Sequence, residues 1–373
     1  MVSLSNHERD RFRLHPPGRR ASTDQIASCR VAELFGRQWT AAELLQRVGD
    51  VSQLGGARLV TFAEGPEAGV VAAEVRTGSG LAFTVLPGRG MDLGFAEYRG
   101  TPLCWRSPTG EVAAAFYEPG GEGWLRGFSG GLMATCGLTT AGWPSTDEGQ
   151  ALPLHGRASY LPARNVYADG AWEGDEYVMW VHGRTREAVV YGENVQLTRR
   201  VWARLGESRL FVDDEVQNLG HASVPHMLAY HVNVGFPMLD DGSQLVSSER
   251  QVEPMTEDSA DAVDDYTSYG PPRGDWQAKV LVHRPRADVD GWAETAVVNP
   301  RLGLGLYVKQ RPEQLPFLWQ WKQLGQGTYV TGIEPANCLG RGRADDRARG
   351  TLQFLEPGER RTYNIEIGVR HAS

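Results

Sequence analysis

Three widely separated segments of the chain each place an ionisable side chain among apolar and aromatic residues. They are residues 154–157 (LHGR) with His155, residues 225–233 (PHMLAYHVN) with His231, and residues 329–337 (YVTGIEPAN) with Glu334. A carboxylate and a histidine held on opposite sides of a sugar ring can serve as general base and general acid, and each contributes about 10²–10⁴-fold when positioned. We therefore expect the three segments to surround one sugar site.

The order of these segments resembles the aldose 1-epimerase (galactose mutarotase) superfamily, in which a His-Gly segment, a strand-borne histidine and a late Glu-Pro follow one another. Further residues are similar to the DUF4432-type subgroup of aldose-epimerase-like domains: 86–92 (LPGRGMD), 105–108 (WRSP), 130–138 (GGLMATCGL) and 319–322 (WQWK). The resemblance covers the chain from about residue 45 to its end. It implies a carbohydrate epimerase that interconverts the anomers of a free aldose or derivative, without a cofactor and without a metal.

The roles follow from what anomer exchange requires. The C1 hydroxyl must lose a proton while the ring oxygen gains one, after which the ring opens, the C1–C2 bond rotates and the steps reverse. Our hypothesis assigns Glu334 as the general base and His231 as the general acid. His155 would hydrogen-bond the ring oxygen or a neighbouring hydroxyl and share the acid role.

Further residues are predicted to contact the sugar, because they are hydrogen-bond donors or have flat aromatic faces. Arg89 and Lys322 are donors beside strand ends, and Trp319 and Trp321 offer flat faces on which the C–H side of a sugar can stack. The secondary candidates are Gln320, Asn233 and Asn337.

Each catalytic candidate also has a structural interpretation. An isolated His231 in an apolar stretch would more often be a core histidine, and His155 before a glycine could cap a turn. Glu334 could form a salt bridge with Arg341 or Arg343, because a buried carboxylate is costly unless it is paired. The joint presence of His-Gly, the central histidine and Glu-Pro favours the catalytic interpretation for Glu334 and His231, whereas the choice for His155 is nearly even.

Two other functions use the same groove. A cluster of two histidines and a glutamate can bind a divalent metal, which would suit a metal-assisted sugar isomerase or epimerase acting at another carbon. A sugar-binding protein that has lost catalysis is the second alternative. No P-loop or Rossmann glycine motif occurs in the sequence, so nucleotide-dependent chemistry is not expected.

Short strands and turns must position these groups. Short runs rich in apolar residues, many of them alternating with polar ones, predict strands, for example at 81–86, 279–283 and 189–191, and turn pairs such as Pro87-Gly88 separate the strands. One helix is predicted after Thr40, with Glu43 completing a capping box and Gly49 as the stop. The sequence thus predicts an all-β fold, a large antiparallel β-sandwich of the galactose mutarotase-like supersandwich type with a short N-terminal helical extension.

Composition is that of an ordinary globular protein. We expect an N-terminal arm and helix over residues 1–50, of which the first 30 or so are loosely held, and the sandwich domain over residues 51–373. The formal net charge of −8 argues against nucleic acid or an anionic membrane as partner. A small-molecule carbohydrate is the expected partner, and the helix could also cover an edge strand or the second subunit of a homodimer.

Cysteine usage and hydropathy bear on location. The four cysteines show no C-x-x-C pair or metal spacing, which favours free thiols in a reducing compartment. The first residues lack the apolar run of a signal peptide, and no 18-residue apolar run occurs anywhere. We therefore expect a cytoplasmic protein.

Overall fold

The structure, a computed structural model, describes residues 31–248 and 251–372. The residues from Val31 onward form one compact unit, which includes the first helix. The arm predicted over the first 30 residues lies outside the described residues. The division of the chain at residue 50 stays a prediction.

Strands dominate the part of the chain that the structure describes. In chain order they are β1 (Ala32–Leu34), β2 (Arg37–Trp39), β3 (Gly56–Thr61), β4 (Val71–Arg76), β5 (Leu81–Leu86), β6 (Asp92–Tyr98), β7 (Thr101–Pro102), β8 (Met133–Leu138), β9 (Ser145–Asp147), β10 (Gln150–Leu152), β11 (Arg164–Glu173), β12 (Glu176–Ala188), β13 (Asn194–Arg204), β14 (Arg209–Asn218), β15 (Val224–Gly235), β16 (Gln244–Ser247), β17 (Val252–Pro254), β18 (Lys279–His283), β19 (Ala293–Asn299), β20 (Leu304–Gln310), β21 (Phe317–Gly325), β22 (Thr328–Ala336), β23 (Gln353–Leu355) and β24 (Arg360–His371). The two α-helices are α1 (Ala41–Leu45) and α2 (Arg343–Arg349).

Two large antiparallel sheets pack against each other. The smaller has eight strands in the order β11-β12-β13-β14-β24-β20-β19-β16. The larger has twelve, with β17-β18-β21-β22-β15-β8-β6-β5-β4-β3 as its main path. One apolar core contains side chains from both sheets, such as Val212 from β14 and Tyr230 from β15. The predicted all-β sandwich is confirmed, because alternating side chains of two sheets bury a common core.

Local sequence signals specify the first helix. Thr40 accepts a hydrogen bond from the Glu43 amide, and the Glu43 carboxylate accepts one from the Thr40 amide, so the predicted capping box is present. Leu44 is buried. The helix is a single turn and ends at Leu45, before Gly49.

Two of the predicted strands match the structure at both ends. The structure places β5 and β18 at the bounds predicted for them. The strand predicted at residues 189–191 was wrong, since these residues form the tip of the β12–β13 hairpin. Val190 and Tyr191 are largely exposed there, and Tyr191 has a φ of 67°. Apolar composition alone predicted a strand where the chain turns.

A buried ion pair links the two sheets. The Arg199 guanidinium on β13 binds the Asp214 carboxylate on β14, with Nη2 and Oδ2 2.6 Å apart and both side chains inaccessible to solvent. Arg199 also donates to the Thr135 hydroxyl on β8, and the Tyr230 hydroxyl donates to Asp214. The network therefore connects the smaller sheet to the strands β8 and β15 of the larger one.

The larger sheet is buried on both faces along β15. Leu228, Tyr230 and Val232 point into the core between the sheets. Met227 and Ala229 belong to a second apolar cluster on the opposite face, which includes Trp124 from the connection between β7 and β8. Since side chains alternate along a strand, this second face is also that of His231.

Candidate active site

His231 and Glu334 lie on neighbouring strands and face the same side of the larger sheet. Strand β15 pairs with the antiparallel strand β22 in a register that sets Val232 opposite Ile333. His231, one residue before Val232, therefore lies opposite Glu334, one residue after Ile333. The Nε2 atom of His231 is 3.2 Å from the Oε1 atom of Glu334. Both side chains are almost fully buried. The sheet register therefore brings together two groups that are about a hundred residues apart in the chain.

His155 reaches the same place from a loop that follows β10. Its backbone has a φ of 55° and is held by hydrogen bonds from its amide to the Gly142 carbonyl and from the Gly137 amide to its own carbonyl. A Cβ atom on Gly156 would lie 2.5 Å from the Gly137 oxygen, which explains the glycine after this histidine. The rings of His155 and His231 are 5.7 Å apart and nearly perpendicular.

The three groups open into a cavity of about 270 Å³. Ligand pockets span about 300–1,000 Å³, so this one is the size for a single small ring. Its walls are aromatic: Trp124 lies 4.7 Å from the His155 ring, and Phe128 and Trp321 lie 5.2 Å and 5.5 Å from the His231 ring. These contacts hold both imidazoles in place and exclude water from them.

Burial dominates the electrostatics of the site. It raises the pKa of the Glu334 carboxyl well above its usual range and lowers the pKa of His231 to about 4. Burial, together with the nearby His231, lowers the pKa of His155 well below its usual value. The 3.2 Å contact alone would favour a charged pair, but desolvation opposes charge on both partners. Desolvation therefore favours the form of the Glu334–His231 pair that holds one proton and carries no net charge.

Buried polar atoms without a partner collect in this cavity. The Nδ1 atoms of His155 and His231 and the Nε1 atom of Trp124 have no hydrogen-bond partner among the described residues. Most buried polar groups in proteins are paired, so each exception needs an explanation. All three atoms belong to residues that line the cavity, which favours a polar ligand there.

Gly332 makes room for the Glu334 carboxylate. It lies two residues earlier on β22, and a Cβ atom there would be 2.3 Å from the Oε1 atom of Glu334 and 3.1 Å from the Cβ atom of Trp321. No side chain fits at this position without moving the carboxylate. Gly332 is therefore a positioning residue for Glu334.

Neither arginine that could have paired with Glu334 contacts it. Arg343 pairs with Asp147, and Arg341 donates to the Pro254 carbonyl, so neither arginine forms the salt bridge considered for Glu334. The ionisable neighbour of Glu334 is His231.

Two of the predicted substrate contacts line the cavity. Trp319 and Trp321 alternate with inward-facing residues on β21 and form part of its wall. Trp319 is fixed by a hydrogen bond from its indole nitrogen to the Cys338 carbonyl. Its ring is nearly parallel to that of His155, with centroids 6.4 Å apart.

Gln320 and Lys322 require a correction, since they occupy the opposite face of β21. Gln320 donates to the Tyr266 carbonyl and the Tyr269 hydroxyl. The Lys322 ammonium binds the carbonyl and carboxylate of Asp265. The side-chain period of two in a strand places both away from the cavity whenever Trp319 and Trp321 face it.

Arg89, Asn233 and Asn337 also differ from expectation, because none of them lines the cavity. The Arg89 guanidinium is buried and donates to three backbone carbonyls, those of Ser159, Val112 and Gly127. Asn233 donates to the carbonyls of Gly131 and His231.

Asn337 braces two neighbouring chain segments. It accepts from the Leu228 amide and donates to the His226 carbonyl. Arg89, Asn233 and Asn337 thus support the loops and strands around the site through backbone groups, a role that composition did not reveal.

The sequence analysis missed the aromatic residues of the loop between β7 and β8. Trp124 and Phe128 stack on each other with centroids 4.4 Å apart and form the wall beside both histidines. They lie in the glycine-rich run 120–131. Two aromatic residues four apart in such a run are the signal that could have identified them.

The described residues were also compared with the requirements of a metal site and of a membrane-spanning helix. Within residues 31–248 and 251–372, no group of three or more His, Cys, Asp and Glu side chains is arranged to hold a metal ion. In the same ranges, no helix has both the length and the apolar character needed to cross a membrane.

Several solved structures have a fold similar to that of this chain. A candidate aldose 1-epimerase from Klebsiella pneumoniae superposes with a TM-score of 0.81 at 26% identity, over 87% of each chain. A galactose mutarotase-like protein from Clostridium acetobutylicum gives 0.61 at 11% identity, over 86% of this chain and 99% of that one. A galactose 1-epimerase from Lactobacillus acidophilus gives 0.57 at 11% identity, over 85% and 99%. The two more distant structures share the fold with this chain.

Sequence comparison identifies the family. No curated protein matches the chain. The family model described as "Domain of unknown function (DUF4432)" matches residues 67–369, which include all three site groups. The chain therefore belongs to the DUF4432 family, within the aldose 1-epimerase and galactose mutarotase-like superfamily.

Proposed function

We propose that the chain is a cofactor-independent carbohydrate epimerase that interconverts the anomers of a free sugar. The observation that carries this proposal is the contact between Glu334 and His231, beside His155, in a ring-sized cavity with aromatic walls. Proton removal at one oxygen and proton delivery at another is the chemistry that such a set of groups can perform. The similarity to a candidate aldose 1-epimerase supports the same reaction.

The shared proton prepares both catalysts together. Movement of the proton from Glu334 to the Nε2 atom of His231 converts the neutral pair into a carboxylate and an imidazolium, without changing the net charge of the site. The carboxylate is then the base, and the Nδ1–H group of His231 is the acid. Because the cavity is largely apolar, these charges are weakly screened and interact strongly with groups on a bound sugar.

Ring opening then balances without any further reagent. Glu334 takes the proton of the C1 hydroxyl, the C1–O5 bond breaks as the C1 carbonyl forms, and O5 takes a proton from His231. His155 hydrogen-bonds O5 or a neighbouring hydroxyl and shares this acid role. Rotation about C1–C2 presents the other face of the carbonyl, and the reverse steps close the ring to the opposite anomer. Trp319 and Trp321 would hold the C–H side of the sugar during the rotation.

The test is equilibration of pure sugar anomers, followed by polarimetry or NMR. The wild-type chain should accelerate it, and Glu334→Gln should lower the rate by about 10²–10⁴-fold while the protein stays folded. Glu366→Gln is the matched control: it changes a buried glutamate on β24 that binds Tyr307 and Arg209 and does not line the cavity. Near-normal exchange by Glu334→Gln would exclude Glu334 as the base.

The same assay separates the alternatives. Saturable sugar binding without faster exchange would identify a binding protein and overturn the proposal. Loss of activity on chelation, with recovery on adding a divalent cation, would favour a metal-assisted reaction instead.

A further inference from the structure

One side chain of the cavity wall is a hydrogen-bond donor that lacks an acceptor. The indole Nε1–H group of Trp124 is buried and has no partner among the residues that the structure describes. An indole nitrogen can only donate, whereas the two imidazoles of the site can exchange donor and acceptor roles with their tautomer. Leaving such a donor unpaired in a protein interior costs about 10–100-fold in an equilibrium constant.

Several other indole nitrogens of the protein do have acceptors. These acceptors are backbone carbonyls for Trp39, Trp276 and Trp319 and a carboxylate for Trp202. Trp319 is the informative comparison, because it lines the same cavity as Trp124. The Trp319 nitrogen is 2.9 Å from the carbonyl oxygen that it binds, so its hydrogen-bonding capacity is already used. The Trp124 donor is therefore available for a ligand, and the Trp319 donor is not.

Contacts on several sides fix the Trp124 ring. It stacks on Phe128 with centroids 4.4 Å apart, and its centroid is 4.7 Å from that of His155. The backbone carbonyl of Trp124 accepts a hydrogen bond from the Tyr160 hydroxyl. A rotation of the indole toward another acceptor would break the stacking with Phe128. The donor is thus held beside the cavity before any ligand binds.

The position of this ring limits which part of a sugar it can meet. Its centroid is 6.4 Å from that of His231, so a sugar bound beside both histidines also reaches the indole. During the proposed anomer exchange, the C1 oxygen and O5 are engaged with Glu334 and the histidines. The acceptor that remains for Trp124 is a hydroxyl on a carbon that does not react.

We propose that Trp124 donates a hydrogen bond from Nε1 to a non-reacting hydroxyl of the sugar and makes that hydroxyl a condition of tight binding. The inference rests on the proposed function for the placement of the sugar beside Glu334 and His231, and it adds a specificity-determining residue to that site. In the free protein only water can meet the indole N–H. A sugar with the hydroxyl replaces this water, whereas a sugar without it displaces the water and leaves the N–H unpaired.

The direct test is NMR of the full chain with isotope-labelled tryptophan side chains. The probes are the D and L forms of the aldopentoses and aldohexoses, added one at a time. The Trp124 Nε1–H signal is assigned from its contacts with the His155 and Phe128 rings. It should move downfield with the sugar that binds most tightly, because hydrogen bonding deshields the proton. The Trp319 signal should move less, since its hydrogen bond is already made. An unmoved Trp124 signal at saturation, or no saturating sugar in the panel, would overturn the inference.

A second test combines Trp124→Phe with sugars that lack one hydroxyl. The monodeoxy forms of the best-binding sugar, one for each non-reacting carbon, are compared with the parent by calorimetry. One of them should bind the wild type about 10–100-fold more weakly than the parent. In Trp124→Phe that loss should shrink to less than about threefold, because both partners of the bond are then absent.

Trp319→Phe is the matched control, because it also shortens an indole in the cavity wall. It should retain the full loss for the same deoxy sugar, since its nitrogen binds the protein rather than the ligand. A loss that is as large in Trp124→Phe as in the wild type would contradict the role of Trp124. If Trp124→Phe does not fold, the NMR measurement on the wild type decides.

Anomer exchange on the same sugars separates this inference from the proposed function. Trp124→Phe should raise KM about tenfold with kcat little changed, because a contact to a non-reacting hydroxyl is equal in the ground and transition states. A fall in kcat at constant KM would overturn the assignment. The signal shift and the hydroxyl dependence without any exchange would support the role of Trp124 and refute the proposed reaction. Exchange by the wild type with an unmoved Trp124 signal would support the reaction and refute this role.

Discussion

Replacing Gly332 by alanine tests whether the position of the Glu334 carboxylate decides activity. The added Cβ atom would lie 2.3 Å from the Oε1 atom of Glu334, and contacts below 3.0 Å do not persist, so the carboxylate must move by roughly 0.7 Å. Displacement of a catalytic group by about 1 Å can cost about 10²-fold in rate. We therefore expect anomer exchange by Gly332→Ala to fall by about 10²-fold, equivalent to about 2.7 kcal/mol of transition-state stabilisation.

The control for this variant is Gly325→Ala. Gly325 ends β21 outside the cavity, and the nearest atom to its added Cβ would be the Gln323 side-chain oxygen at 3.4 Å, an ordinary contact. Both variants should stay folded by circular dichroism and thermal unfolding. Only Gly332→Ala should lose exchange activity in polarimetry.

A double-mutant cycle separates positioning from general damage to the sheet. If Gly332 acts through Glu334, then Gly332→Ala should have little further effect on the residual rate in a Glu334→Gln background, because residues that act as a unit are not additive. The effect on unfolding should persist in both backgrounds. Normal exchange by folded Gly332→Ala, or an undiminished further loss in the Glu334→Gln background, would refute the reasoning.

Burial in the site and between the sheets leads to four other expected outcomes. Because the active pair holds one proton on Glu334 and burial raises the pKa of that carboxyl, exchange should fall as the pH rises and that proton is lost, with a midpoint above the ordinary glutamate pKa of about 4.3; a rate that falls on acidification through the same range would contradict this. The His231 pKa of about 4 means that between about pH 6.5 and 4 the unfolded chain binds a proton that the folded chain does not. The free energy of unfolding, measured with urea, should therefore decrease as the pH is lowered through that window, and it should decrease less in His231→Gln. His155→Asn retains a residue that tolerates a positive φ and should lower exchange by about 10²-fold without changing the melting temperature; unchanged exchange would leave His155 only its backbone role. Arg199→Met leaves the Asp214 carboxylate buried without its counter-charge and should lower the free energy of unfolding by about 3–5 kcal/mol, whereas a loss below about 1 kcal/mol would mean that the carboxylate is not isolated from water.

Local patterns in the sequence were sufficient to predict those elements that depend on residues close together in the chain. The capping box at Thr40 and Glu43 depends on residues three apart, and both hydrogen bonds are present. Strand β5 alternates between buried and partly buried residues along most of its length, β18 is a short apolar run, and both were predicted at their bounds. The strand predicted at residues 189–191 was wrong because an apolar run does not by itself indicate whether the chain continues as a strand or turns.

The proposed catalytic groups and the residues around them differ in how far their positions could be predicted. His155, His231 and Glu334 were identified from their types and order, and the structure brings them together. Gln320 and Lys322 were assigned to the cavity with Trp319 and Trp321, although neighbours on a strand must face opposite sides. The sequence alone does not indicate which face of β21 lines the site.

By itself, then, the sequence determined that the chain forms a β-sandwich, and it predicted two histidines and a glutamate as the groups for proton transfer. Only the tertiary structure decided that β15 lies beside β22 in a register that joins His231 to Glu334, and that Trp124 covers both histidines from a distant loop. The physical reason is that propensity and alternation are local properties, whereas burial, and with it the pKa values and the cavity, depends on which distant segments pack together.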